Sequence, residues 1–91
     1  MFVLVSYDVR DGRTEKFRKI LCRYLMHEQN SVFCGLLSRP ELRELEVCLK
    51  SNLTENDKIL MLICENRLNV DVVRLGNDDE SLCCQSKSVV L

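Results

Sequence analysis

The sequence has little of what most recognisable sites are built from. Among its 91 residues there is a single histidine, His27, and no cysteine pair is spaced Cys-x-x-Cys. The clustered ligands of a zinc site are therefore missing. There is no Ser-His-Asp set, no P-loop and no Gly-x-Gly-x-x-Gly, which removes support for acyl transfer and for nucleotide-fold chemistry. No stretch approaches the roughly 18 consecutive apolar residues of a membrane-spanning helix. The apolar opening Met1–Val5 is closed by Tyr7-Asp8-Val9-Arg10-Asp11, too soon for a signal peptide. The chain is thus expected in the cytosol, with no membrane contact. Internal repeats and low-complexity segments are absent as well. An excess of one charge is also lacking: 13 Lys and Arg face 14 Asp and Glu, for a net charge of −1. That balance argues mildly against nucleic-acid binding, where affinity comes largely from neutralising phosphates.

What is present suits one small domain. Apolar residues make up 46% of the chain, enough for a thin two-layer core and too little for a deep enclosed pocket. Domains of this size often gain stability by pairing, because a partner's surface extends the core. The charges are unevenly placed. Arg10, Arg13, Lys16, Arg18, Lys19 and Arg23 stand against only Asp11 and Glu15 between residues 10 and 23, whereas the half from Ser51 onward is acidic. One basic face is thereby allowed, and a dimer would double it. Of the six cysteines, Cys22, Cys34, Cys48 and Cys64 read as small apolar fillers in a reducing compartment. The vicinal pair Cys83-Cys84 lies in a polar stretch.

The order of elements follows from the hydrophobic pattern. Phe2–Tyr7 is apolar on both alternations and predicts a central strand. Asp11 or Thr14 is placed to cap a helix whose inner face is Phe17, Ile20, Leu21, Tyr24 and Leu25. This leaves His27 on the surface near the end of that helix. Gln29–Leu37 predicts one strand or a bent pair, with Gly35 marking a bulge or a close backbone approach. Ser38 and Glu41 form a capping box, and Leu37 with Leu42 a hydrophobic staple, for a second helix ending near Asn52. Ile59–Cys64 predicts a second interior strand. Asn69–Leu75 alternates like a half-exposed edge strand. Residues 77–91 form a tail in which 88–91 is a docking strand. Strand, helix, one or two strands, helix and strand give an α+β fold: the ferredoxin-like βαββαβ sandwich, two helices on one antiparallel sheet, with an extra C-terminal strand. The domain spans 1–76.

Asp8 is the leading candidate for chemistry, since it follows a buried strand that can hold a carboxylate in fixed geometry. An aspartate at a strand end is more often a turn or capping residue, and one carboxylate makes a poor magnesium site. A two-fold dimer that brings two copies of Asp8 together would hold one Mg²⁺ or Mn²⁺ across its axis, against a phosphodiester. Asp11 is either a second ligand or a cap. Arg10, Arg13 and Arg18 are candidates to grip phosphates by forked hydrogen bonds, or else simply a solvated helix face. Tyr7 and Phe33 read as core rather than as base-stacking residues.

Two segments carry a resemblance. Met1-Phe-Val-Leu-Val-Ser-Tyr-Asp8 and Gln29-Asn-Ser-Val-Phe-Cys-Gly35 are similar to the second CRISPR-associated (Cas) protein family, whose members usually carry Gln-x-Ser-Val-Phe-x-Gly. The Ser38-x-x-Glu41 helix, the apolar run at 59–64, Val73-Arg-Leu-Gly76 and the Val-Val-Leu91 end fall in family order. The sequence departs from the pattern where members often have an arginine just before the second motif, here His27 or Glu28. It departs again at Cys34, where many carry an acid. The resemblance implies a homodimer in which the strand near 69–75 crosses to the partner's sheet. It implies that Asp8 is the catalytic, metal-binding position, supported by Tyr7, Ser31 and Phe33. It further implies a prokaryotic protein of spacer acquisition that bridges subunits of the CRISPR integrase, the first Cas protein. Such a protein binds duplex DNA or RNA, with metal-dependent endonuclease activity described for members. The alternative is a catalytically silent ferredoxin-like interaction or regulatory domain.

Overall fold

The computed structural model describes residues 1–10 and 12–76. Strand β1 (Phe2–Asp8) is followed by helix α1 (Thr14–Cys22), β2 (Met26–Gln29), β3 (Val32–Leu36), α2 (Arg39–Asn52), β4 (Lys58–Cys64) and a single 3-10 turn at Arg67–Asn69. The strands form one sheet in the order β2-β3-β1-β4, antiparallel at every pairing. Both helices cover one face of it, the ferredoxin-like arrangement expected from the sequence.

The pleat sorts β1 into two sets. Val3, Val5 and Tyr7 face the helices and are buried with Phe17, Leu21, Phe33, Leu45 and Leu49. Phe2, Leu4, Ser6 and Asp8 face the other way. Tyr7 stacks on Phe33, with ring centres 6.3 Å apart, and leans on Phe17; both aromatics are core, as read. The second helix starts where its sequence dictates: Ser38 accepts from the Glu41 amide, Glu41 reaches back to the Ser38 amide, and Pro40 occupies the first turn. Gly35 allows a close approach by Leu25, whose side chain would lie 3.3 Å from any added Cβ. The bulge lies elsewhere, between His27 and Gln29 on β2, opposite Phe33 and Val32.

Several elements differ from the sequence reading. Helix α1 stops at Cys22, and His27 belongs to β2, its ring 4.8 Å from that of Phe33. Arg13 occupies the N-cap position of α1 with no side-chain cap. Of the two caps expected, Thr14 is instead the first residue of the helix, and Asp11 lies outside the described residues, as do Cys83-Cys84 and the tail strand expected at 88–91. Strand β4 is at the sheet edge rather than inside it, and its outward Leu60 and Leu62 are 59% and 55% exposed. Residues 70–76 form no strand. Instead of pairing with β4, this segment returns across the open sheet face. The Arg67 guanidinium lies 5.3 Å over the Phe2 ring, and Arg74 grips Glu28 on β2 at 2.5 and 2.8 Å. An alternating pattern becomes a strand only where a sheet edge receives it, and here the chain leads away from that edge.

Candidate functional site

The open face of the sheet has two unlike ends. At one, the 67–76 segment covers Phe2 and Cys34, which are 4% and 2% exposed. The Cys34 thiol donates to Glu28 at 3.4 Å. Burial, with the neighbouring Glu28 carboxylate, pushes that thiol up to about 12. The Arg74 hydrogen bond holds the Glu28 carboxyl below its ordinary value, against the opposing effect of burial. The carboxylate at this spot therefore comes from β2. In the middle, Leu60 and Leu62 are bare, and Leu36 on β3, opposite Phe2, is exposed too. At the other end stands Asp8, the last residue of the central strand and exposed to solvent.

Asp8 is held firmly. Its strand is flanked on both sides, and the Tyr7 amide donates to the Ser31 carbonyl at 3.1 Å, which ties the strand tip to the β2–β3 turn. Asn30 in that turn adopts a left-handed φ of 38°, a conformation asparagine tolerates. Tyr7, Asp8, Val9, Thr14, Glu15, Arg18, Asn30 and Ser31 line an open cleft of about 410 Å³. The structure thus brings Asp8, Tyr7, Ser31 and Arg18 to one place. Phe33 supports them from below through Tyr7.

The three candidate arginines have separate fates. Arg10 is exposed just beyond β1. Arg18 pairs with Glu15 one turn back along α1, and that hydrogen bond keeps the Glu15 carboxyl below its usual value. Arg13 points away from the cleft. Its Nε and Nη2 donate to Asp57 Oδ2 at 3.1 and 2.7 Å, and Nη2 also donates to the Asn52 carbonyl at 2.6 Å. Thr54 adds its amide and hydroxyl to the same carboxylate oxygen, each at 3.0 Å. Burial pushes the Asp57 carboxyl up, but Arg13 and Thr54 together outweigh it and leave it below its ordinary value. Arg13 therefore joins the start of α1 to the end of α2 and the entry of β4.

One residue beside Asp8 escaped the sequence reading. Lys58, the first residue of β4, lies directly opposite Asp8 in the antiparallel register. The signal was a charge at the start of one apolar run and an opposite charge at the end of another. It becomes meaningful only once the two strands are known to be neighbours. Among the described residues, no group of three His, Cys, Asp or Glu side chains is placed to hold a metal. No helix there is long and apolar enough to cross a membrane.

Comparison with known proteins agrees with this architecture. The family model for CRISPR associated protein Cas2 matches residues 1–70. The chain is 36% identical over 80 residues to the CRISPR-associated endoribonuclease Cas2 3 of Thermodesulfovibrio yellowstonii, covering 87% of this chain and 91% of that one. It is likewise 36% identical over 80 residues to the CRISPR-associated endoribonuclease Cas2 of Haloferax volcanii, covering 88% and 93%. A crystal structure of Cas2 superposes with a TM-score of 0.78 at 37% identity, covering 99% of this chain and 98% of that chain. Cas2 of Streptococcus pyogenes, solved at pH 6.5, superposes with a TM-score of 0.66 at 30% identity, covering 84% and 100%. With a family match along most of its length, the same fold and an aspartate at the tip of the central strand, the chain belongs to the CRISPR-associated Cas2 family.

Proposed function

We propose that this protein is a homodimeric nuclease of CRISPR spacer acquisition that cleaves nucleic-acid phosphodiesters at Asp8. The observation that carries the reading is the placement of Asp8. It is a solvent-exposed carboxylate on a rigid central strand, at the end of the sheet face away from the 67–76 segment, where the outward leucines Leu60 and Leu62 stay bare. Two copies pairing through Leu36, Leu60 and Leu62 would bring their Asp8 tips to one cleft. The relatives' names as endoribonucleases support the same class of chemistry.

Asp8 suits a hard cation. A carboxylate oxygen is the donor that Mg²⁺ and Mn²⁺ prefer, while the soft thiols of Cys34 and Cys64 lie toward the opposite end of β3 and β4. One chain offers a single carboxylate there, and a two-fold pair offers two. That is within the one or two carboxylates such ions accept beside water and phosphate oxygens. When bound, the ion supplies Lewis acidity toward the phosphodiester and lowers the pKa of a water molecule. The chain's own residues do the rest. Asp8 orients the reacting centre, Arg10 attracts flanking phosphates, and Tyr7 with Phe33 keeps the strand tip still. Holding a backbone in this way reads no sequence.

A second reading rests on the outer face of α1, where Lys16 and Lys19 are exposed. This face suits a dimer that holds duplex DNA for the integrase without cutting it. Asp8→Asn separates the two when nuclease and spacer-integration assays run side by side. On the nuclease reading the variant loses Mg²⁺-dependent cleavage and keeps its dimer. Cleavage at the wild-type rate removes Asp8 from the mechanism. Integration by a wild type that cleaves nothing leaves the scaffold reading alone.

A further inference from the structure

We infer that Lys58 is a phosphate-binding residue of the Asp8 site, contributed by β4 rather than by the basic helix α1. The inference deepens the nucleic-acid reading proposed above and rests on it. Its foundation is register. Residues directly opposite in an antiparallel pair share a face of the sheet, with β-carbons about 4.5–5.5 Å apart. Asp8 pairs with Lys58, Tyr7 with Ile59 and Ser6 with Leu60. Ile59 packs against the core beneath Tyr7, so Lys58 stands with Asp8 on the open face. Both are exposed.

The neighbourhood leaves Lys58 available. Its ammonium makes no hydrogen bond or ion pair with any described residue, Asp8 included. The preceding residue, Asp57, is engaged by Arg13 and Thr54, which fixes the phase in which β4 begins. Arg13 is thereby taken away from the site, and Arg18 is held to Glu15. A flexible four-carbon stem carrying a compact charge is well suited to a phosphate oxygen that must also approach a carboxylate. The carboxylate and the ammonium together form a two-part site: one part orients the reacting centre and the other holds a non-bridging oxygen of the same phosphodiester.

The test measures binding without metal, so that it does not depend on cleavage. Fluorescence anisotropy in EDTA follows labelled DNA duplex or single-stranded RNA, whichever the wild type binds more tightly, across a salt series. Lys58→Ala should weaken binding about tenfold at low salt, as expected for a lost charge-assisted hydrogen bond. It should also flatten the log–log salt slope by about 0.9 per subunit on a duplex or about 0.7 on a single strand. Lys58→Arg should restore both, and sedimentation should show the oligomeric state of the wild type in each variant. A Lys58→Ala protein with an unchanged slope overturns the inference and leaves the function reading standing. A variant that falls apart into subunits assigns Lys58 to the subunit contact and overturns it too. A wild type with no affinity for either probe overturns the function reading and the inference together.

Discussion

Truncating Leu62 to alanine tests whether a second copy covers the open face. Leu62 is 55% exposed and stands opposite Leu4 in the middle of that face. Fully burying a leucine side chain is worth about 1.5–3 kcal/mol. Slightly over half of that burial is still to be gained, so one Leu62 contributes about 0.8–1.6 kcal/mol to an interface. In a two-fold contact the residue counts twice, for about 1.6–3.3 kcal/mol. At about 1.4 kcal/mol per factor of ten, losing all of it raises the dimer Kd roughly 15- to 250-fold. Alanine keeps its β-carbon, which places the expected effect in the lower part of that range. A concentration series in sedimentation velocity measures Kd directly. Val47→Ala is the control, since Val47 is 63% exposed but lies on α2, away from the open face, and should leave Kd unchanged. A Leu62→Ala Kd within about twofold of wild type refutes the argument. So does a wild type that sediments as a monomer at every concentration.

Three further outcomes are expected. Phe17→Ala empties the centre of the core, where the ring is fully buried, and should cost about 3–5 kcal/mol in urea unfolding. A loss below about 1 kcal/mol would show that α1 does not carry the packing assigned to it. Arg13→Ala should lower the melting temperature while leaving the salt slope of nucleic-acid binding unchanged, because Arg13 serves Asp57 and not phosphate. The folded-state pKa of Asp57 is depressed below 3.8, so the stability it lends is present above that value and disappears as pH falls through the depressed one. The gap between wild type and Arg13→Ala should therefore narrow in acid; a constant gap from neutral pH to pH about 3 would contradict the ion-pair account. Finally, the Cys34 thiol, raised to about 12, should resist alkylation at mildly alkaline pH in the native protein, as followed by mass spectrometry. Labelling of Cys34 as fast as of Cys48 or Cys64 would mean that its cover opens freely.

Much of the fold was legible because its strongest signals are local. The two-sided apolar run of β1 and the Ser38–Glu41 box each fix an element within a few residues. Asp8 could be singled out for the same reason, since it ends such a run. Strand β2 was hidden, because Met26-His-Glu-Gln29 has no alternation and Tyr24 and Leu25 continue the helical spacing past the true end of α1. Strand β4 looked interior because it is apolar on both alternations, yet apolar residues are often exposed and its outward Leu60 and Leu62 are. The 69–75 segment failed for the converse reason: its alternation is real, but Arg67 on Phe2 and Arg74 on Glu28 draw it away from the sheet edge. The surroundings of Arg13 and Lys58 were hidden for want of pairing information. The arginine in the basic run is structural, and the lone lysine across the sheet faces Asp8.

The Arg13–Asp57–Thr54 knot also makes the protein intolerant of insertions at one particular spot. One extra residue between Asp57 and Lys58 would rotate every following side chain of β4 to the opposite side, burying a lysine under the helices and turning Ile59 and Met61 toward solvent. Homologues should vary freely in loop length elsewhere but keep this spacing. Anyone grafting an epitope or a fluorophore-bearing loop onto the molecule would do well to leave residues 54–58 alone.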